Sequence, residues 1–202
     1  GVAAVGVTYD FALKEQHAPL MTARQMTSGK TVNRMLHICE TSTDLLYKLE
    51  AVRLVCCESG CAQRYLSHDG LNAIFQATRR MDANYGTDHH ARFLNYLHRV
   101  QDEDLTLGVA MTDAKGDRSR RPGAQSNLDV YVHIKERRPD GIVIRGTKAI
   151  VTGAPYMHEL LVMPCRTMTA EDADFAVCCA VPVDAEGVTI VSRPAGRPGE
   201  SA

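Results

Sequence analysis

One charged stretch, Ala110–Gln125, divides the chain into two halves with different hydrophobic spacing. Before it, from about Thr41 to Val100, apolar residues recur at intervals of three and four, which is typical of amphipathic helices. After it, apolar and polar residues alternate, or short apolar runs are separated by turn residues, which predicts β-strands. A helical half followed by a strand half predicts an α+β fold.

The first half predicts an N-terminal helical domain over residues 1–104. Its first helix follows the N-cap candidates Thr41, Ser42 and Thr43, because a serine or threonine hydroxyl can accept a hydrogen bond from the first turn. The apolar stripe of that helix is predicted to face the core and has four members at spacings of three and four: Leu45, Leu49, Val52 and Cys56. A second helix is capped by Asp69 and ends at Gly86. A third helix has its own stripe: Phe93, Leu94, Leu97 and Val100.

The second half predicts a β domain over residues 105–193, followed by a flexible tail at residues 194–202. The stretch LDVYVHIKE alternates, with one predicted apolar face: Leu128, Val130, Val132 and Ile134. RRPDGIVIRG predicts a hairpin with Asp140 and Gly141 between its strands. Further strands are predicted in ELLVMPC, DFAVCCAVPV and VTIVSR. This pattern predicts an antiparallel β barrel or sandwich.

Composition argues against several classes of protein. The 202 residues are 45% hydrophobic and carry a formal net charge of −1, which argues against disorder and against general affinity for nucleic acid or a membrane surface. No apolar run approaches the roughly 20 residues of a membrane span, and the N-terminus lacks the pattern of a secretory signal. The odd number of cysteines, seven, favours reduced thiols in a cytoplasmic protein over a disulfide framework.

The cysteine-rich stretch CCESGCAQRYLSHD is a candidate metal-binding segment. Cys57, Cys61 and Tyr65 are spaced four residues apart, so they are predicted to share one face of a helix. Two thiolates at that spacing can supply two ligands to a metal ion or an iron–sulfur cluster, but a complete site needs about four. The alternative is that these cysteines are small apolar residues that pack in the interior, and the residues alone favour that alternative.

Three segments, in this order and at this spacing, together resemble one superfamily of flavoproteins. They are LMTARQMTSGKTVNR (Leu20–Arg34), MTDAKGDRSRRP (Met111–Pro122) and DGIVIRGTKAIVTGAPYMHELLVMP (Asp140–Pro164). The superfamily is that of 4-hydroxyphenylacetate 3-hydroxylase and 4-hydroxybutyryl-CoA dehydratase. The resemblance implies an acyl-CoA dehydrogenase-like arrangement of a helical domain, a central β domain and a C-terminal helical bundle. The bundle has no counterpart here, so the chain resembles a truncated member that forms a homo-oligomer or needs its missing part.

The resemblance implies that the charged stretch binds FAD. The implied cofactor-binding residues are Met111, Thr112, Lys115, Gly116, Asp117, Arg118 and Thr152. Their chemistry is consistent with that role, because arginine suits bidentate contacts with phosphate or carbonyl oxygens and a threonine hydroxyl can donate a hydrogen bond. Thr152 corresponds to a position beside the flavin ring and is also a candidate catalytic residue, and Gly153 would let the backbone approach the ring closely. Without the other two segments, the stretch would indicate only a solvated connection.

The residues leave the reaction open between two branches of the superfamily. The dehydratases carry two cluster cysteines four residues apart before a segment that corresponds to Asp69–Ala73. Those two positions are Cys61 and Tyr65 here, so the sequence predicts no iron–sulfur cluster and makes Tyr65 a second candidate catalytic residue. The hydroxylases carry an arginine, a tyrosine and a histidine at three positions that also differ here: Leu66, Gly70 and Val109.

The resemblance therefore predicts an FAD-dependent oxidoreductase that uses reduced flavin and oxygen on a small aromatic or acyl-CoA substrate. One alternative is a dehydratase and isomerase of a hydroxyacyl-CoA with FAD and an iron–sulfur cluster, in which Cys61 would be a ligand. A second alternative is a non-catalytic fragment that needs a partner chain.

Overall fold

The computed structural model describes residues 2–25 and 27–192. The first half is helical, with the following helices: α1 (Val2–Leu13), α2 (Ala18–Met21), α3 (Ser42–Ser59), α4 (Tyr65–Tyr85) and α5 (His89–Asp102). An antiparallel hairpin of β1 (Thr22–Arg24) and β2 (Thr31–Asn33) lies between α2 and α3. Within these described ranges, no helix has both the length and the apolar content to cross a membrane.

Helix α3 begins as predicted, but its buried face is not the predicted one. The Thr41 hydroxyl accepts a hydrogen bond from the backbone N–H of Asp44, whose carboxylate accepts one from the N–H of Thr41. This capping box starts the helix. Leu45 and Leu49 are 50% and 58% exposed, so the prediction that their stripe faces the core is wrong. The interior instead receives a second apolar face, formed by Ala51 and Val55. This face packs with Phe11 of α1, Met21 of α2 and Met35 in the turn after β2.

Helices α4 and α5 pack on the strands of the second half. Helix α4 starts at Tyr65 and not after Asp69, and it ends at Gly86 as predicted, where the backbone has a φ of 64°. Most of the predicted apolar positions contribute to one core, which includes Leu71, Phe93, Leu97, Val100, Leu107 and Leu161. The helices and the strands of the second half therefore share a hydrophobic core. The division into two domains at residues 104 and 105 stays a prediction.

The second half holds five short strands within the described residues, and the prediction of an antiparallel barrel or sandwich is wrong for them. They are β3 (Leu107–Ala110), β4 (His133–Arg138), β5 (Gly141–Arg145), β6 (Glu159–Val162) and β7 (Cys179–Pro182). The central sheet has the order β3-β6-β7, with β3 parallel to β6 and β6 antiparallel to β7, and β4 and β5 pair separately. Across the described ranges no sheet closes into a barrel. A long connection can return the chain in either direction, so alternation within a strand does not report how that strand is paired.

The β4–β5 hairpin is confirmed, the strand predicted in LDVYVHIKE is confirmed only for its last four residues, and the strand predicted in VTIVSR is wrong within the described residues. In LDVYVHIKE, residues Leu128–Val130 form a 3-10 turn because the side chain of Asn127 accepts the N–H of Asp129. The buried face of this stretch is the opposite of the predicted one, since Tyr131 and His133 pack near the ring of Phe175. In VTIVSR, residues 188–192 form no strand. Arg193 and the predicted tail lie outside the described residues.

Candidate functional site

The charged loop after β3 contains a tight turn that a distant glutamine side chain holds. Lys115 and Gly116 have positive φ angles of 71° and 50°. The side chain of Gln125 brackets this turn, because its Oε1 accepts from the N–H of Asp117 at 3.0 Å and its Nε2 donates to the carbonyl of Asp117 at 2.7 Å. A Cβ at position 116 would lie 2.5 Å from Gln125 Oε1, so the turn requires glycine there. No sequence pattern marks Gln125 for this role, because its partner is a turn eight residues earlier.

The turn uses part of the donor set that was expected to contact a cofactor. The N–H of Lys115 donates to the carbonyl of Val130 at 3.2 Å, and the N–H of Asp117 is bound by Gln125. The Asp117 carboxylate accepts hydrogen bonds from the hydroxyl and N–H of Ser119, which lower the pKa of that carboxyl. These hydrogen bonds occupy the N–H groups of Lys115 and Asp117 and the carboxylate of Asp117, and the assignment of the turn to the cofactor stays a prediction. The exposed side chain of Arg118 stands outside this internal network.

The far end of the loop is fixed to the last part of the fold. Arg121 donates from its Nε to the carboxylate of Asp172 at 2.7 Å. This contact, with further hydrogen bonds from Thr169, lowers the pKa of Asp172 to about 2. Asp172 is buried, so Arg121 acts as an anchor of the loop rather than as a group offered to a ligand.

A buried ion pair joins the start of the loop to the segment that contains Thr152. Lys148 Nζ lies 2.6 Å from Asp113 Oδ1, and both side chains are buried. The same ammonium group donates to the carbonyls of Met111 and Met163 at 3.0 and 2.7 Å. The N–H of Ala149 donates to the carbonyl of Thr112 at 2.8 Å. These bonds place the Met111–Asp113 segment beside the Lys148–Thr152 segment, so two stretches that the resemblance assigns to the flavin are neighbours in the fold.

The turn that follows Thr152 lies against the connection between α3 and α4. Thr152 is exposed, and Gly153 has a φ of 79°. A Cβ at position 153 would lie 2.8 Å from Met157 Cε and 3.3 Å from Gln63 Oε1. Gln63 in turn donates from Nε2 to the sulfur of Cys61 at 2.8 Å. Gln63 therefore links Cys61 to the Thr152 turn. No sequence pattern marks Gln63, because only the folded chain brings these segments together.

The prediction that Cys57, Cys61 and Tyr65 share one helix face is wrong. Helix α3 ends at Ser59, and Gly60 has a φ of 72°, which reverses the chain. Cys57 is exposed on the last turn of α3, Cys61 lies in the connection, and Tyr65 begins α4. The glycine at position 60, a common helix terminator, was the sequence signal that separates them. Tyr65 packs against the core cluster between α1 and α3, with Lys48 Nζ 5.7 Å from its ring centre.

The connection between α3 and α4 supplies one thiol, Cys61, so an iron–sulfur cluster at this place would need further ligands from outside it, and the expected absence of a cluster stays a prediction. Such a cluster needs about four ligands, mostly thiolates. Cys61 is the thiol beside the Thr152 turn, Tyr65 offers a phenol, and Cys57 belongs to a different helix. Across residues 2–25 and 27–192, no group of three or more histidine, cysteine, aspartate and glutamate side chains is placed to hold a metal ion.

A second cluster, formed by Cys39, His68 and Asp69, lines a cavity of about 340 Å³ beside α3 and α4. Cys39 Sγ lies 3.2 Å from His68 Nε2, and His68 Nδ1 lies 3.4 Å from Asp69 Oδ1. Burial lowers the pKa of His68 to about 4 and raises the pKa of Cys39. A weak base beside a weakly acidic thiol leaves both groups neutral near pH 7, so this geometry resembles a catalytic triad without its activation. No sequence pattern marks Cys39, because its partner His68 lies 29 residues away along the chain.

The sequence of this chain is similar to those of two enzymes of known activity. The chain is 42% identical over 188 residues to 4-hydroxybutyryl-CoA dehydratase/vinylacetyl-CoA-Delta-isomerase of Clostridium aminobutyricum, which covers 93% of this chain and 38% of that protein. It is 29% identical over 110 residues to the oxygenase component of 4-hydroxyphenylacetate 3-monooxygenase of Geobacillus sp. (strain PA-9), which covers 54% of this chain and 22% of that protein. The chain thus spans less than two-fifths of the length of these relatives.

Two solved structures share the fold. An oxygen-tolerant archaeal 4-hydroxybutyryl-CoA dehydratase from N. maritimus superposes with a TM-score of 0.89 at 38% identity, over 92% of this chain and 37% of that one. The oxygenase component of 4-hydroxyphenylacetate 3-monooxygenase complexed with FAD superposes with a TM-score of 0.74 at 24% identity, over 92% and 38% of the two chains. At 24% identity, the similarity to the monooxygenase component shows a shared fold alone.

The match to a family extends over the whole sequence. All of residues 1–202 match the family described as 4-hydroxyphenylacetate 3-hydroxylase N terminal. This match confirms the resemblance that the three sequence segments carry. The chain therefore belongs to the 4-hydroxyphenylacetate 3-hydroxylase family and corresponds to its N-terminal part.

Proposed function

We propose that this chain forms the FAD-binding N-terminal part of a flavin-dependent enzyme. The main support for the proposal is that the two segments assigned to the flavin, Met111–Asp113 and Lys148–Thr152, lie side by side in the fold. The hydrogen bond from Ala149 to Thr112 and the buried pair of Lys148 and Asp113 hold these segments side by side. FAD bound to a protein of the same fold supports the choice of cofactor.

The residues of the joined segments fit the chemistry of FAD. The exposed guanidinium of Arg118 suits a phosphate or ring carbonyl oxygen, because it offers a planar set of charged donors. The hydroxyls of Thr112 and Thr152 suit the polar edge of the ring. Met111, which is 45% exposed, suits an apolar ring surface. FAD would supply the redox chemistry that amino-acid side chains lack, and this chain would bind and orient it.

The reaction proposed first is an oxygen-dependent oxidation of a small organic substrate, aromatic or acyl-CoA, by a cytoplasmic enzyme. Its support is the donor set at the α3–α4 connection. Cys61 lies there and accepts a hydrogen bond from Gln63, and Tyr65, which begins α4, is the residue at the position that the resemblance gives to a second cluster thiol. A reaction that needs FAD without an iron–sulfur cluster is consistent with these residues.

The second candidate is dehydration and isomerisation of a hydroxyacyl-CoA. A specific observation favours it, namely 42% identity over 93% of this chain to a dehydratase of that type. In this case Cys61 would be the cluster ligand contributed by this segment. The other ligands would have to come from beyond the α3–α4 connection.

Purification under nitrogen, followed by titration with FAD and analysis of iron and acid-labile sulfide, tests the proposal. We expect one FAD bound per chain and iron far below one atom per chain. Stoichiometric iron that Cys61→Ser removes would favour the dehydratase candidate. Failure of the purified chain to bind FAD would contradict the proposed function and favour a fragment that needs a partner chain.

A further inference from the structure

Ile150 has an unfavourable backbone conformation and an unfavourable environment at once. Its φ is +60°, in the left-handed region that β-branched residues avoid because of steric clashes. Its side chain is 85% exposed, so it gains almost nothing from burial. Glycine or asparagine would adopt this conformation more readily. Backbone strain of this kind tends to cluster at ligand-binding sites, where a contact outside the chain offsets it.

The neighbours of Ile150 fix the direction in which it projects. Ala149, just before it, is hydrogen-bonded through its N–H to Thr112. Val151, just after it, lies next to β3, with its Cγ1 3.6 Å from the place where a Cβ on Gly108 would stand. The carbonyl of Val151 also accepts from the N–H of Ala154 at 3.1 Å. With both neighbours held, the left-handed conformation turns the side chain of Ile150 out of the protein.

We propose that Ile150 is a positioning residue that packs against the apolar ring surface of bound FAD. This inference rests on the proposed function. Ile150 lies between Ala149, which pairs with Thr112, and Thr152, so it belongs to the same surface as the polar groups assigned to the cofactor. Met111, at the start of the neighbouring segment, is also exposed. The two side chains give this surface an apolar part that the polar donors alone would lack.

The chemistry of the ring explains why an exposed apolar side chain would be retained here. A flavin ring is flat, with polar atoms along one edge and a mostly apolar face. Threonine hydroxyls and arginine can bind the edge, but an apolar contact is needed to exclude water from the face. Contact with the ring would bury Ile150 and would offset the cost of its conformation.

Two substitutions of nearly equal size separate this role from a structural one. Ile150→Leu keeps an apolar side chain, and Ile150→Asn replaces it with a polar one, while both remove the β-branch. The dissociation constant for FAD is measured by quenching of flavin fluorescence, and the melting temperature is measured without FAD. Ile142→Asn is the matched control, because Ile142 is 47% exposed on the β4–β5 hairpin.

We expect Ile150→Leu to bind FAD within about twofold of the wild type and Ile150→Asn to bind it about tenfold or more weakly, as loss of a buried apolar contact predicts. Both variants should melt at or above the wild-type temperature without FAD, and Ile142→Asn should leave FAD binding unchanged. Equal affinities of the wild type and Ile150→Asn would overturn the inference. So would weaker binding by both Ile150 variants together with lower melting temperatures, which would indicate a structural role. If the wild type itself binds no FAD, the proposed function fails first.

Discussion

At the scale of single residues, His68 is the side chain whose charge the fold controls most clearly. Burial lowers its pKa to about 4, against an ordinary value of 6.5. Between these values the unfolded chain binds a proton that the folded chain does not bind. His68 therefore contributes stability that is present above about pH 6.5 and is lost as the pH falls towards 4.

The pH dependence of unfolding tests this role of His68. For the wild type, the free energy of unfolding should fall by about 3 kcal/mol between pH 7 and pH 4 from this group alone. His68→Gln removes the titrating ring and should flatten that part of the profile. Cys39→Ser keeps His68 buried, so this variant should retain that part of the pH profile. Urea titrations at several pH values measure the profile, and equal slopes for the wild type and His68→Gln would contradict the assignment.

Residue roles were predictable where a motif carries them and hidden where a distant partner defines them. Arg118 and Thr152 could be singled out from the sequence because their segments resemble those of a family. Gln125 and Gln63 could not, since each acts on a turn that the fold brings to it. The roles assigned to Thr152 and Tyr65 in catalysis stay predictions.

At the scale of elements, the pair of Lys148 and Asp113 holds the two cofactor-implicated segments together. Lys148→Met would leave the carboxylate of Asp113 buried without its cation, which costs about 3–5 kcal/mol of folding free energy. Lys30→Met is the control, because Lys30 pairs with Asp102 at the surface, with side chains 59% and 48% exposed, and such pairs contribute about 1 kcal/mol or less. The urea unfolding midpoints of the wild type and the two variants measure both losses of stability. Similar losses in the two variants would show that the buried pair is not a structural join.

Local signals in the sequence predicted where elements begin and end better than which side they bury. The capping box at Thr41 and the glycine at position 86 act within a few residues, and both are confirmed. The buried side of α3 depends on α1, which lies far along the chain and was not predicted. The same limit applies to LDVYVHIKE, where Phe175 decides that Tyr131 is buried.

At the scale of the whole molecule, sequence patterns gave the helix-then-strand order but not the pairing of strands. The parallel pair of β3 and β6 is joined by a connection that includes the charged loop and the β4–β5 hairpin. The order of apolar and polar residues within β3 or β6 does not encode the direction in which the connection brings the chain back to the sheet. The fold class was therefore predictable, and the barrel was not.

The outward face of α3 predicts self-association of the chain. Leu45, Leu46 and Leu49 are 50%, 62% and 58% exposed on this helix, and an apolar surface of this kind favours contact with another surface. We expect light scattering to give a mass above that of one chain, and Leu49→Glu to lower it. Leu128→Glu, at another exposed leucine, should leave the mass unchanged. A wild-type monomer at all concentrations would contradict this prediction.

The most direct test of the central claim, that the loop after β3 binds FAD, compares two arginines. Arg118→Ala should weaken FAD binding about ten- to a hundredfold, because a charge-assisted hydrogen bond contributes about 1.5–3 kcal/mol. Arg137→Ala removes an exposed arginine of the β4–β5 hairpin, paired with Asp174, and should leave the affinity unchanged. FAD titrations of the wild type and both variants measure this difference. Equal dissociation constants for the two variants would contradict the assignment of the loop to the cofactor.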